Sequence, residues 1–217
     1  MFEAKKAVSL FPTTLWLFQI PAEVHSRINA ELKHKLNELI AAASDENHEG
    51  GWQTEHDLHT LPEMQELTVH FLNAVDDVLD AITTTNRNVK ITGCWANIGP
   101  PGSGHDSHLH PNNFLSAVYY VSVPMGGHQI TFWDPRHQTR IMAPPVNETN
   151  VTNSDYANMQ VQEGMLILFP SWLVHSVPEN AGNDTRISIS FNINFTDFSD
   201  DISAPNWQPD LPTHPEG

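Results

Sequence analysis

The stretch 186–195 alternates without a break: Ile187, Ile189, Phe191, Ile193 and Phe195 fall on one parity, and Arg186, Ser188, Ser190, Asn192 and Asn194 on the other. A two-residue period fits only an extended strand, with one face apolar and the other polar along its whole length. A polar face headed by arginine can look into solvent or into the inside of a closed barrel, and the strand alone does not choose between them. Its neighbours follow the same grammar. Residues 89–98, 115–123, 129–133 and 165–169 are short β-rich segments set apart by clusters of Gly, Pro, Asn and Asp, which predicts an all-β body. The first part of the chain reads differently. Over 21–43, Val24, Ile28, Leu32, Leu36, Leu39 and Ile40 recur at helical spacing. A second helix is expected from Thr60, three residues before Glu63 in a capping-box arrangement with Pro62 in the first turn, running through Leu67, Phe71, Val75, Val78 and Ile82. Two amphipathic helices need a flat apolar surface to lie on, and the β body supplies one.

The expected architecture is therefore mainly β with flanking helices. One domain spans 1–217, with helical support over about 1–88, a β core over about 89–196, and an acidic, Pro-rich tail over 197–217 that hugs the surface or frays. The chain has 26 acidic against 10 basic residues and a formal charge of −16. Without clustered Lys or Arg it lacks the means to displace counterions from phosphates, so nucleic acid is not expected as a partner. No apolar run approaches the roughly 20 residues of a membrane span, and no export signal is read at the N-terminus. A soluble, cytoplasmic protein is expected, with a homodimer as the default assembly. In that setting the sequons at Asn147, Asn150, Asn183 and Asn194 read as chance, and the single cysteine, Cys94, as a buried thiol.

The chemistry concentrates in three places. The run from Gly102 to Pro111 contains His108 and His110, which in an extended segment point to the same side and can grip one ion. The run from Gly164 to His175 is an apolar strand that ends in a Pro170 turn and delivers a histidine at its far end. After a polar turn, Arg186 and Ser188 stand on the polar face of the next strand, where a guanidinium can pair in bidentate fashion with a carboxylate.

With these residues in this order, the chain from about residue 89 to 195 resembles the 2-oxoglutarate- and Fe(II)-dependent oxygenase superfamily, in particular its bacterial and phage branch. The resemblance implies a double-stranded β-helix, the jelly-roll barrel shared with cupins. It implies that His108 and His175 are imidazole ligands of Fe(II), and that Arg186 and Ser188 clasp the distal carboxylate of 2-oxoglutarate. A hydroxyl from Tyr119 or Tyr120 joins that clasp, and Asn97, on the strand before the histidine pair, is expected to reach the site. His110 stands where the family has a carboxylate, so the triad becomes His108, His110 and His175 unless Asp106 supplies the third ligand. The implied reaction consumes O₂ and 2-oxoglutarate, releases succinate and CO₂, and hydroxylates a small molecule or a protein side chain.

Two other readings compete. A cupin also fits Gly102 through His110 and Gly164 through His175, but the glutamate it needs after the first pair is missing and Arg186 has no place in it. A barrel that binds a small acid or a structural metal without turnover belongs to a different class, and a closed coordination sphere would mark it. Trp95 reads as a core residue, and His128 and His137 as surface histidines. Substrate choice is assigned to loops such as 144–157, polar and mobile in character.

Overall fold

The structure is a computed structural model that describes residues 5–43, 51–136, 138 and 141–197. His137 and the tail beyond Asp197 lie outside the described residues. In chain order the elements are β1 (Trp16–Gln19), α1 (Ala22–Ala42), β2 (Trp52–Gln53), two 3₁₀ turns, α2 (Gln65–Ala81), β3 (Val89–Gly99), β4 (His105–His108) and β5 (Leu115–Ser122). They continue with β6 (Gln129–Trp133), β7 (Tyr156–Gln160), β8 (Met165–Pro170), β9 (His175–Val177) and β10 (Arg186–Phe195). Among the described residues, ten strands make two antiparallel sheets: six in the order β1-β8-β5-β10-β3-β2 and four in the order β4-β9-β6-β7. The result is a double-stranded β-helix whose larger sheet is covered by the helices on its outer face.

Alternation along the central strands builds two cores at once. Ala117, Tyr119 and Val121 of β5, with Leu166 and Leu168 of β8, point to the helices and meet Ile28, Leu32, Leu36, Leu67, Phe71 and Val75. Val118 and Tyr120, with Ile167 and Phe169, point the other way, between the sheets, where they meet Ile130, Phe132 and Leu173. On β10 the apolar parity faces the helices, and Phe191 stacks on Phe71 with centroids 4.2 Å apart. The polar parity therefore faces the barrel interior, which settles what the strand alone could not. Cys94 is fully buried in the helix-side core, and desolvation pushes its thiol pKa well up.

Several sequence expectations are corrected. The second α-helix starts at Gln65 rather than Thr60, because Leu61, preceding Pro62, takes an extended conformation with ψ 143 that interrupts the helical turn. Two short 3₁₀ turns replace the capping box, and Ile82 ends the helix 40% exposed instead of extending its buried face. The segment 144–157 is not loop throughout, since Tyr156 and Ala157 begin β7, paired to β6. Trp95 is buried, but toward the barrel interior. No helix among the described residues is long and apolar enough to cross a membrane.

Candidate functional site

Strand pairing brings the histidines together. β8 ends at Pro170, where the Leu173 N–H donates to the Pro170 carbonyl at 2.9 Å and closes the turn that starts β9 with His175. β9 pairs with β4 so that His175 stands directly across from His108. The His110 N–H donates to the Ser171 carbonyl at 3.0 Å, holding the third imidazole against the same turn. One ring nitrogen from each of His108, His110 and His175 can then lie within 4.8 Å of the others. His110 Nε2 and His175 Nε2 are 3.3 Å apart. Asp106 is not in this cluster and its side chain is exposed; its contribution is a backbone carbonyl that accepts from His108 Nδ1 at 2.7 Å.

Hydrogen bonding also sets the tautomers. A carbonyl oxygen only accepts, so His108 Nδ1 carries its proton toward Asp106, and His175 Nδ1 carries its proton toward the Leu173 carbonyl at 3.0 Å. In the neutral rings both Nε2 lone pairs are left for the space between the histidines, which is the arrangement that fixes metal-binding imidazoles. Burial and the neighbouring imidazoles push His110 down to about 4 and His175 down to about 3, so both are neutral, metal-competent donors at physiological pH.

Beside the histidines the three central strands present a row of polar side chains. Ser188 of β10 pairs with Asn97 of β3 on one side and with Tyr120 of β5 on the other. All three line the histidine cavity, and Arg186, one strand period away, lines it too. The Arg186 side chain is only 6% exposed and has no ion-pair partner among the described residues. Desolvation lowers its pKa, opposed only by Tyr120, and burial raises the Tyr120 phenol. Tyr119 points the opposite way, its Oη donating to Asn29 Oδ1 at 2.6 Å in the helix-side core. Asn97 reaches the cavity, but its amide is committed to neighbours: Oδ1 accepts from Gln53 Nε2 at 2.7 Å and Trp95 Nε1 at 3.2 Å, and Nδ2 donates to Ser190 Oγ at 3.0 Å.

Sequence reasoning missed a wall of the cavity. Trp95 lies between His56, stacked at 4.4 Å, and His110, tilted at 5.7 Å. Gln53 and His105 line the cavity as well. Gln53 and His56 come from the connection between the helices, where no periodicity marks them. His105 had a visible signal, as the first histidine of the Gly102-to-Pro111 run, but its odd spacing from His108 hides that β4 is irregular between the two. His128 is half-buried, and its Nδ1 accepts from the Gly126 N–H at 3.1 Å, so it is a turn residue away from the cluster.

Comparison with known proteins agrees with this geometry. Residues 93–192, the span holding every histidine of the cluster and Arg186, match the family described as "Putative 2OG-Fe(II) oxygenase". Among solved structures the fold is similar to a prolyl-4-hydroxylase of Pseudomonas putida, with 13% identity, coverage of 84% of this chain and 93% of that one, and a TM-score of 0.57. It is also similar to HygX of Streptomyces hygroscopicus, solved with nickel and 2-oxoglutarate bound, with 12% identity, coverage of 85% and 83%, and a TM-score of 0.56. A third is the α-ketoglutarate-dependent epimerase SnoN from nogalamycin biosynthesis, with 13% identity, coverage of 82% and 76%, and a TM-score of 0.60. No curated protein matches the sequence. Over residues 93–192 the chain has the sequence signature of the 2-oxoglutarate- and Fe(II)-dependent oxygenases. It is an oxygenase that uses iron, 2-oxoglutarate and O₂, and the cupin reading gives way to it.

The residues present fit both groups. Three imidazoles whose ring nitrogens come within 4.8 Å of one another suit a divalent first-row metal, and a buried guanidinium without an ion-pair partner among the described residues suits a dicarboxylic acid.

Proposed function

We propose that His108, His110 and His175 hold the iron, that Arg186 with Ser188 and Tyr120 binds the distal carboxylate of 2-oxoglutarate, and that the outcome is hydroxylation of a C–H bond. The observation that carries this reading is Arg186: a guanidinium 6% exposed, without an ion-pair partner among the described residues, on the wall of the three-histidine cavity. A buried unpaired charge costs several kcal/mol, and a carboxylate arriving in that cavity offsets the cost. Bound iron supplies the activation of O₂ against 2-oxoglutarate; one oxygen atom goes into succinate as CO₂ leaves, and the other into the substrate as a hydroxyl.

The chain's own residues do the positioning. Asp106 and Leu173 carbonyls lock the His108 and His175 rings, as above. Arg186 fixes the far end of the co-substrate, so its keto-acid end is directed at the histidines. Asn97 braces Trp95 and Gln53 rather than touching the co-substrate, and Phe169, whose ring centroid is 4.7 Å from that of His175, helps keep water from the reacting face.

Two sets of variants test the assignment. His110→Ala is expected to lower bound iron far more than Asp106→Ala, and the opposite order would move the third ligand to Asp106. Arg186→Ala is expected to weaken 2-oxoglutarate binding by at least about 10²-fold, the scale of a lost bidentate charge pair, while keeping the metal. Unchanged affinity in that variant would remove the clasp from Arg186.

A further inference from the structure

A cleft of about 390 Å³ opens beside the histidine cavity and shares Gln53, Asn97, His105 and Arg186 with it. The inner cavity is small, about 50 Å³, so the bulk of any substrate lies in the cleft. The cleft walls are Gly51, Trp52, Ile98, Gly99, Ser103 and Gly104 besides the shared residues. Among the described residues, no Asp or Glu lines either space. In a chain with 26 acidic and 10 basic residues, that is a local reversal of charge.

The charge count inside points the same way, given the iron and 2-oxoglutarate assignment on which this inference rests. His108, His110 and His175 enter as neutral donors, where a carboxylate ligand would have brought one negative charge. A divalent ion and the Arg186 guanidinium together carry three positive charges, and 2-oxoglutarate brings two negative ones. One positive charge is left uncompensated in a largely desolvated site, where electrostatic interactions are little screened. Two donors stand free to receive an anion at the shared wall. The His105 ring makes no protein hydrogen bond among the described residues, and Gln53 Nε2 spends one of its two hydrogens on Asn97.

We infer that the substrate of this oxygenase carries a negatively charged group, received by His105 and Gln53 where the cleft meets the histidine cavity. The requirement selects carboxylated or phosphorylated molecules over neutral and cationic ones of the same shape.

Acetate and acetamide, alike in size but one anionic and the other neutral, are the probes. The full-length protein is loaded anaerobically with Fe(II) and 2-oxoglutarate, and each probe is titrated while the metal-to-ligand charge-transfer band is followed. The expected result is a saturable shift of the band with acetate and none with acetamide. Both His105→Ala and Gln53→Ala should weaken the acetate response by about tenfold, as for one charge-assisted hydrogen bond, while His105→Gln, which keeps a donor, should retain most of it. Equal responses to the two probes, or an acetate response unchanged in both alanine variants, would overturn the inference. Loss of the band in place of a shift would mean that acetate competes at Arg186, which also counts against a separate anion subsite. Failure of the band to form before any probe is added would remove the co-substrate assignment, and this inference with it.

Discussion

Tyr119 and Tyr120 are adjacent and chemically identical, yet strand parity sends one hydroxyl to Asn29 beneath the helices and the other into the cavity beside Arg186. The two phenols make a clean comparison. Tyr120→Phe is expected to cost about 1 kcal/mol of 2-oxoglutarate binding with little change in folding stability. Tyr119→Phe, which strands the Asn29 amide oxygen in the core, is expected to do the reverse; chemical denaturation and co-substrate affinity separate the two. The histidines carry a pH signature. An imidazole titrates near 6.5 when unfolded, and the folded values of about 4 for His110 and about 3 for His175 are lower. The unfolded chain therefore takes up protons first, so the stabilising contribution of these neutral rings is complete above about 6.5 and is lost as pH falls through about 4. The metal-free protein should melt progressively lower over that window. A flat melting temperature would show that the rings are not held neutral by burial.

At the scale of elements, the sequence was most legible where periodicity had no competitor. The strands at 129–133 and 186–195 have the bounds expected of them: each is framed by turn residues, and the second alternates throughout. The start of α2 was misread because Thr60 and Glu63 imitate a capping box while the residue before Pro62 cannot stay helical. Thr60→Ala is accordingly expected to change stability by less than about 0.5 kcal/mol, against the ~1 kcal/mol that a working N-cap costs. Phe71→Ala, which empties the stack on Phe191, should cost about 3–5 kcal/mol; denaturant midpoints check both. β4 and β9, with four and three residues, were too short to show a period, although they are the strands that set His108 across from His175. The histidines could be picked out by chemistry before the strands that carry them could be seen.

Across the whole molecule, the larger sheet separates two tasks. Its outer face is apolar and spent on the helices, and its inner face carries Arg186, Ser188, Tyr120 and Asn97 into the cavity. The smaller sheet completes the barrel with His108 and His175, and His110 follows directly from β4. The polar parity of β10 was visible in the sequence, but whether it faced solvent or a cavity depended on which face the helices covered. Residues from the inter-helix connection, Gln53 and His56, were illegible for the same reason: their place at the site is a product of tertiary packing, with no local pattern to announce it. The central claim is that one cavity binds iron through three histidines and 2-oxoglutarate through Arg186. The most direct measurement is an anaerobic titration of the Fe(II)-loaded protein with 2-oxoglutarate, following the visible charge-transfer band of the chelated keto acid. The account predicts a saturable band in the parent protein that is absent, at the same concentrations, from an iron-loaded Arg186→Ala variant. Iron binding without any band, or an undiminished band in that variant, would contradict it.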